Sequence, residues 1–261
     1  LGLFDFLKKK SVPPPDGGKA GPKPVPIDKK VVGPAKVAGD KRAQTYDRME
    51  AIQLLADMKT PDAAAALLKR FTFVIDPSIT DSEEKDVAFQ GIVAAGKDVV
   101  PAVTEFCLKA EALTWPLKIL RELLEDAEYQ AEVIELLGGF DIEYARNVEP
   151  KVQLLQALEE LVSEDVRAAV APFLEDVNET VRFHAVQVTF AQGNAESVPA
   201  LVKLLESEES VRVKNKVAEG LAFRGWAIPG ELREATARAL RDTSGFRVGA
   251  DGKIARSQNE Y

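Results

Sequence analysis

From Ala43 onward, apolar residues return every three or four positions, and Pro, Gly, Asp or Asn breaks the pattern about once every dozen residues. That spacing winds an apolar stripe along one face of an α-helix and fits no strand, so this part of the chain can only form successive short helices. Start signals recur at the breaks: Thr60 before Pro61, Asp81 with Glu84 three residues on, Thr114 near Pro116, and Gly193-Asn194 as a stop and a new cap. Residues 44–74, 82–110, 114–140, 147–175, 179–207 and 209–242 divide in this way into helical pairs. β-branched alternation is absent until TSGFRVGADGKIARS, where runs at 246–248 and 253–255 around Asp251-Gly252 predict one small hairpin.

The first 43 residues follow another rule. Residues 11–43 hold seven of the 15 prolines, five glycines and no aromatic residue, which predicts a disordered linker with neither helix nor strand. Before it stands LGLFDFLKKK, an amphipathic motif with Leu3, Phe4, Phe6 and Leu7 ahead of Lys8, Lys9 and Lys10. Ten residues are too few for a stable free helix, so the motif orders only against a surface. Burying its four large apolar side chains yields roughly 1.5 to 3 kcal/mol each at best, and each lysine near an anionic leaflet adds about 1 kcal/mol. Less the cost of ordering, this supports weak, reversible attachment. Three readings stay open: docking into a groove of another protein, contact with an anionic membrane surface, or no role. Myristoylation is not supported, because Phe6 stands where that signal wants Ser or Thr.

The formal charge of −8 is unevenly spread. Residues 1–45 carry 10 basic against 4 acidic side chains, residues 46–208 carry 14 against 31, and residues 209–261 carry 10 against 7. A body this acidic repels phosphate backbones, which excludes nucleic acid as its partner and favours a protein with a basic surface or segment. The +6 opening could also fold back on the −17 body. No apolar run reaches the roughly 18 to 20 residues that cross a bilayer, and the opening lacks the order of a secretory signal, so a cytoplasmic location is expected, with peripheral attachment to the inner membrane through residues 1–10 as a variant. The one cysteine, Cys107, fits a reducing compartment.

The helices echo one another. Phe173 to Arg182 returns as Leu204 to Arg212, with Val181-Arg182 and Val211-Arg212 set 30 residues apart, and Val100-Pro101-Ala102-Val103 returns as Val198-Pro199-Ala200-Leu201 after 98 positions. These stretches, clearest over residues 164–222, resemble HEAT repeats of the short bacterial kind also found in phycobilin-lyase subunits. The resemblance implies an all-α, right-handed α-solenoid over 44–242, with pairs packed on their neighbours and one long concave face. The hairpin and tail at 243–261 would then cap the last repeat. Arg182 and Arg212 are expected to be fold residues that reach the carboxylates of the inter-repeat loops.

Reactive groups are sparse. His184, the only histidine, falls on the polar side of its helix and is expected to be exposed rather than a catalytic base. Cys107 lies in an apolar stripe with no cationic neighbour, as a buried, inert thiol. Gly138-Gly139 reads as a helix stop rather than a phosphate loop. No cofactor or metal set is expected. The His-Glu pairs of HEAT-like di-iron hydroxylases and the basic concave surface of HEAT-like DNA glycosylases are both missing. Glu128, Glu132 and Glu135, spaced 4 and 3, share one helix face, and with Glu105 and Glu206 on other second helices they are the candidate acidic groove for a partner. A solvated face is the plainer reading. The expected function is a non-enzymatic scaffold or adaptor, with residues 1–10 touching a second protein or a membrane surface. The alternative is a lyase- or chaperone-like subunit acting on a cofactor-bearing protein.

Overall fold

The structure, a computed structural model, describes residues 28–243 and 245–256. The docking motif from Leu3 to Lys10 and residues 11–27 of the expected linker lie outside the described residues. The described chain is mostly helical and closes with a two-stranded antiparallel hairpin. After α1 (Lys29–Ala38) come the pairs α2 (Thr45–Met58) with α3 (Pro61–Leu67), and α4 (Ser78–Ala94) with α5 (Val100–Cys107). Next are α6 (Thr114–Leu123) with α7 (Asp126–Gly138), and α8 (Glu149–Glu159) with α9 (Glu164–Val170). The series ends with α10 (Glu179–Ala191) and α11 (Val198–Ser207), then α12 (Val211–Arg224) and α13 (Arg233–Ala239). Turns of 3-10 helix extend α3, α9 and α13.

The pairs fall on the expected segments, with one shift. α4 starts at Ser78, so Asp81 and Glu84 are not a start signal but lie inside the helix, with buried side chains. Two of the expected caps form: Thr60 Oγ1 accepts from Ala63 N–H at 3.3 Å, and Asn194 accepts from Glu196 N–H at 2.9 Å in the turn before α11. Thr114, by contrast, is the first residue of α6, and the cap position is Leu113, with no side-chain bond.

The linker expectation fails for its second half. Lys29–Ala38 is a helix although it contains Gly33 and Pro34. Asp28 caps it, accepting from Lys30 N–H at 2.9 Å, and Val31 and Ala38 are buried against α2 and α3. Intrinsic propensity disfavours this helix, but tertiary burial of one face offsets the penalty.

First helices pack on first helices: α2 on α4, α4 on α6, α8 on α10, and α10 on α12. Second helices do likewise, α5 with α7, α7 with α9, and α11 with α13. One apolar cluster runs through these contacts from Val31 to Ile254. Between α6 and α8 the joint is polar. Asn147 donates to the Glu111 carbonyl at 2.8 Å, Gln153 donates to Thr114 Oγ1 at 3.0 Å, and Leu113 N–H donates to Gln153 Oε1.

The echo between α10 and α12 has a different register from the one the letters suggest. Asn178 caps α10 and Ser210 caps α12, so the equivalent of Val181 is Val213. Both are fully buried, whereas Val211 is 53% exposed. The Val-Arg match at 30 residues is therefore two positions out of structural register.

The hairpin pairs Phe246–Val248 with Ile254–Arg256, one residue later than expected in its second strand. Its loop is tied to the α12–α13 connection by Ile228 N–H, which donates to the Gly252 carbonyl at 2.8 Å, and its strands rest on α12 and α13. Among the described residues, no helix is long and apolar enough to cross a membrane.

Candidate functional site

Most of the buried charge is spent on joining one helical pair to the next. Arg48 of α2 forks onto Glu84 of α4 at 2.8 and 2.9 Å, and Arg70 reaches the same carboxylate at 2.6 Å and Asp81 at 2.7 Å. Lys85 adds a 2.7 Å contact to Asp81. Burial alone would raise the Asp81 pKa, but the hydrogen bonds from Lys85 and Arg70 outweigh it and hold the carboxyl below its ordinary value. Lys151 of α8 meets Asp176 at 2.7 Å, and Arg182 of α10 forks onto Glu208 at 2.7 Å through both Nε and Nη2. Burial likewise opposes ionisation of Glu208, and the Arg182 fork with the Ser210 N–H keeps its pKa low. Arg182 thus reaches a loop carboxylate as expected. Arg212 instead meets Glu179, in the first turn of α10, at 3.5 Å and lies over the Phe183 ring at 3.8 Å.

The expected acidic groove is only partly assembled. Glu128 is exposed and paired with Lys97 at 2.7 Å, and that contact holds its pKa down. Glu132 accepts from the Thr104 hydroxyl of α5. The face of α7 carrying these two is thus turned toward α5 and its leading turn. Glu105 is exposed and engaged by Lys109 one turn on, and Glu135 is exposed. Glu206 sits apart, lining a cavity with Lys214 and Arg238.

His184 departs from expectation because its ring is half-buried rather than exposed. It lies edge-on to Phe183, and its Nδ1 is buried without a hydrogen-bond partner. Burial, then the nearby Arg212 charge, lowers its pKa. Cys107 is buried, and burial, reinforced by the Glu132 charge, pushes its thiol up to about 12. Among the described residues, no group of three or more His, Cys, Asp and Glu is placed to hold a metal ion.

One apolar surface groove was not foreseen. Between α10 and α12 lies a groove of about 320 Å³. Gly220 forms its floor, where an added Cβ would overlap the Phe190 ring, so the missing side chain brings the two helices together. Phe223 stands over it, 87% exposed, with Lys216, Glu219 and Arg224 at the rim. A parallel groove of about 350 Å³ lies between α2 and α4, at Gly91 against Ala56. The sequence did hold a signal for Phe223: it is an aromatic residue outside the stripe of Val213, Val217 and Leu221 that faces the core. No protein-family model matches this chain, and no curated protein matches it.

Proposed function

We propose that the chain is a non-enzymatic protein-binding scaffold, its helical pairs stacked as a right-handed HEAT-like α-solenoid. The α10–α12 groove carries this reading. A phenylalanine held 87% exposed beside an apolar groove is costly in water, and it becomes favourable when a partner covers it. Charged side chains of both signs at the rim give the polar border typical of protein interfaces. The stacked reading is supported by the way first helices pack on first helices and by Arg48 and Arg70, which tie the first pair to Glu84 of the second. The acidic body favours a partner with a basic segment, and residues 1–10 supply a second contact, with protein or membrane surface.

The test is site-specific photo-crosslinking in native lysate with the reactive group at position 223, at position 135, or at position 144, an exposed tyrosine outside the groove. A discrete protein adduct from 223 that position 144 does not give supports the groove. An adduct from 135 alone moves the binding face to α7, and no adduct from 223 or 135 sinks the scaffold reading.

A further inference from the structure

The α2 surface carries an apolar strip that no described residue covers. Tyr46 is 77% exposed and Leu54 48% exposed, with Met49 partly exposed between them. These three line a cavity of about 440 Å³ together with Glu50, Gln53 and Asp57. Gln53 and Asp57 also line the α2–α4 groove, so the two depressions form one continuous track. Its charged side chains are Glu50, Asp57 and Asp86 against the single cation Lys59. The track is therefore apolar along α2 and acidic at its border.

The N-terminal segment reaches the body beside this track. The described chain starts at Asp28, whose N–H donates to Asp62 Oδ2 at 3.4 Å in the first turn of α3. Asp62 follows Lys59 by three residues, and Lys59 and Asp57 belong to the track. Residues 11–27 separate Lys10 from Asp28, and a Pro/Gly-rich tether of that length spans roughly 20 to 25 Å in root mean square. α2, 14 residues long, measures about 21 Å, so every point on the strip is within reach. A tether this short gives an effective concentration of order mM, enough to populate a contact too weak to hold between separate molecules. The chemistry matches as well: Leu3, Phe4, Phe6 and Leu7 are the apolar complement of the strip, and Lys8, Lys9 and Lys10 that of its carboxylates.

We propose that residues 1–10 dock on the α2–α4 track of their own chain, with the apolar side chains on Tyr46, Met49 and Leu54 and the lysines toward Glu50, Asp57 and Asp86. The decapeptide then covers this surface until another protein or a membrane takes it. This docking stands independently of whether the α10–α12 groove binds a protein.

The experiment uses the full chain carrying Ser11→Cys with a nitroxide on that cysteine, the buried Cys107 being left unlabelled. Amide signals are recorded by NMR. Docking predicts loss of signal confined to α2 and α4, weakened in high salt and abolished by the Phe4→Ser/Phe6→Ser double substitution, which leaves the folded body unchanged. Loss centred on α10 and α12, or no localised loss, overturns the proposal. So does a mixture of nitroxide-labelled and isotope-labelled chains that shows the same loss, because the contact would then join two copies.

Discussion

Arg48 and Glu84, 36 positions apart in sequence, meet through two hydrogen bonds of 2.8 and 2.9 Å with both side chains sealed from solvent. Arg70 shares the same carboxylate, so Glu84→Gln leaves the buried Arg48 guanidinium without a counter-charge and Arg70 with Asp81 alone. A loss of about 3 to 5 kcal/mol in folding stability is expected, and urea unfolding measures it. A loss under about 1 kcal/mol would show that the network adds little. Replacing Arg48 and Glu84 together with apolar residues should recover part of the loss, because no lone charge then remains at that pair.

The two arginines of the Val-Arg echo should separate in the same assay. Arg182→Met strands the buried Glu208 and is expected to cost about 3 kcal/mol. Arg212 is half-exposed over Phe183, so Arg212→Ala should cost less than about 1 kcal/mol. Equal costs would contradict the register that makes Lys214, and not Arg212, the position equivalent to Arg182.

Gly91 and Gly33 should respond with opposite sign to alanine. A Cβ at Gly91 would lie 2.5 Å from Ala56 Cβ and 2.7 Å from its Cα, and overpacking against backbone costs roughly 1 to 3 kcal/mol. At Gly33 nothing lies within 4 Å, so Gly33→Ala should gain up to about 1 kcal/mol from helix propensity. Thermal melts of the two variants read both signs.

Native Cys107 should resist alkylation at pH 8. Its pKa is pushed up to about 12, so the thiol stays neutral there, and burial closes access to the sulfur. The rate should fall at least about a thousandfold below that of the urea-unfolded chain. Comparable rates would show that the α5 region opens readily.

His184 should make the protein acid-sensitive in a defined window. Its folded pKa lies below the ordinary 6.5, lowered by burial first and by Arg212 second. Above that value the ring is neutral in both states and stability is complete. As the pH drops below 6.5, the unfolded chain takes up a proton that the fold resists, and stability declines until the folded pKa is passed. His184→Gln should remove this decline below pH 6.5, as followed by urea midpoints on the acid side.

The paired helices were legible because a 3.6-residue apolar period survives in the letters. Other features were not, for identifiable reasons. α1 was hidden because Gly33 and Pro34 argue against helix locally, while what stabilises it, Val31 and Ala38 against α2 and α3, is tertiary. Asp81 and Glu84 looked like capping residues because a buried carboxylate and an exposed cap use the same side chains. The partners that draw them inward are not in the cap region: Arg48 meets Glu84 from 36 positions away, and Arg70 meets both carboxylates from the end of the preceding helical pair. The Val181 echo was misplaced because Val211 and Val213 are the same letter, and only burial separates them. Of the expected acidic face, Glu128 and Glu132 were found by spacing, but spacing could not show that Lys97 and Thr104 already engage them.

The polar joint between α6 and α8 gives the chain an uneven stiffness. Elsewhere, neighbouring first helices are held by interlocked apolar side chains, and α2 with α4 and α10 with α12 are brought together at a glycine. At this joint the first helices meet through the amides of Asn147 and Gln153, and α7 alone carries the apolar contact to α8 and α9. The coupling across residues 139–148 thus rests on one row of helices where the other junctions use both, so a bend between neighbouring pairs should fall here first.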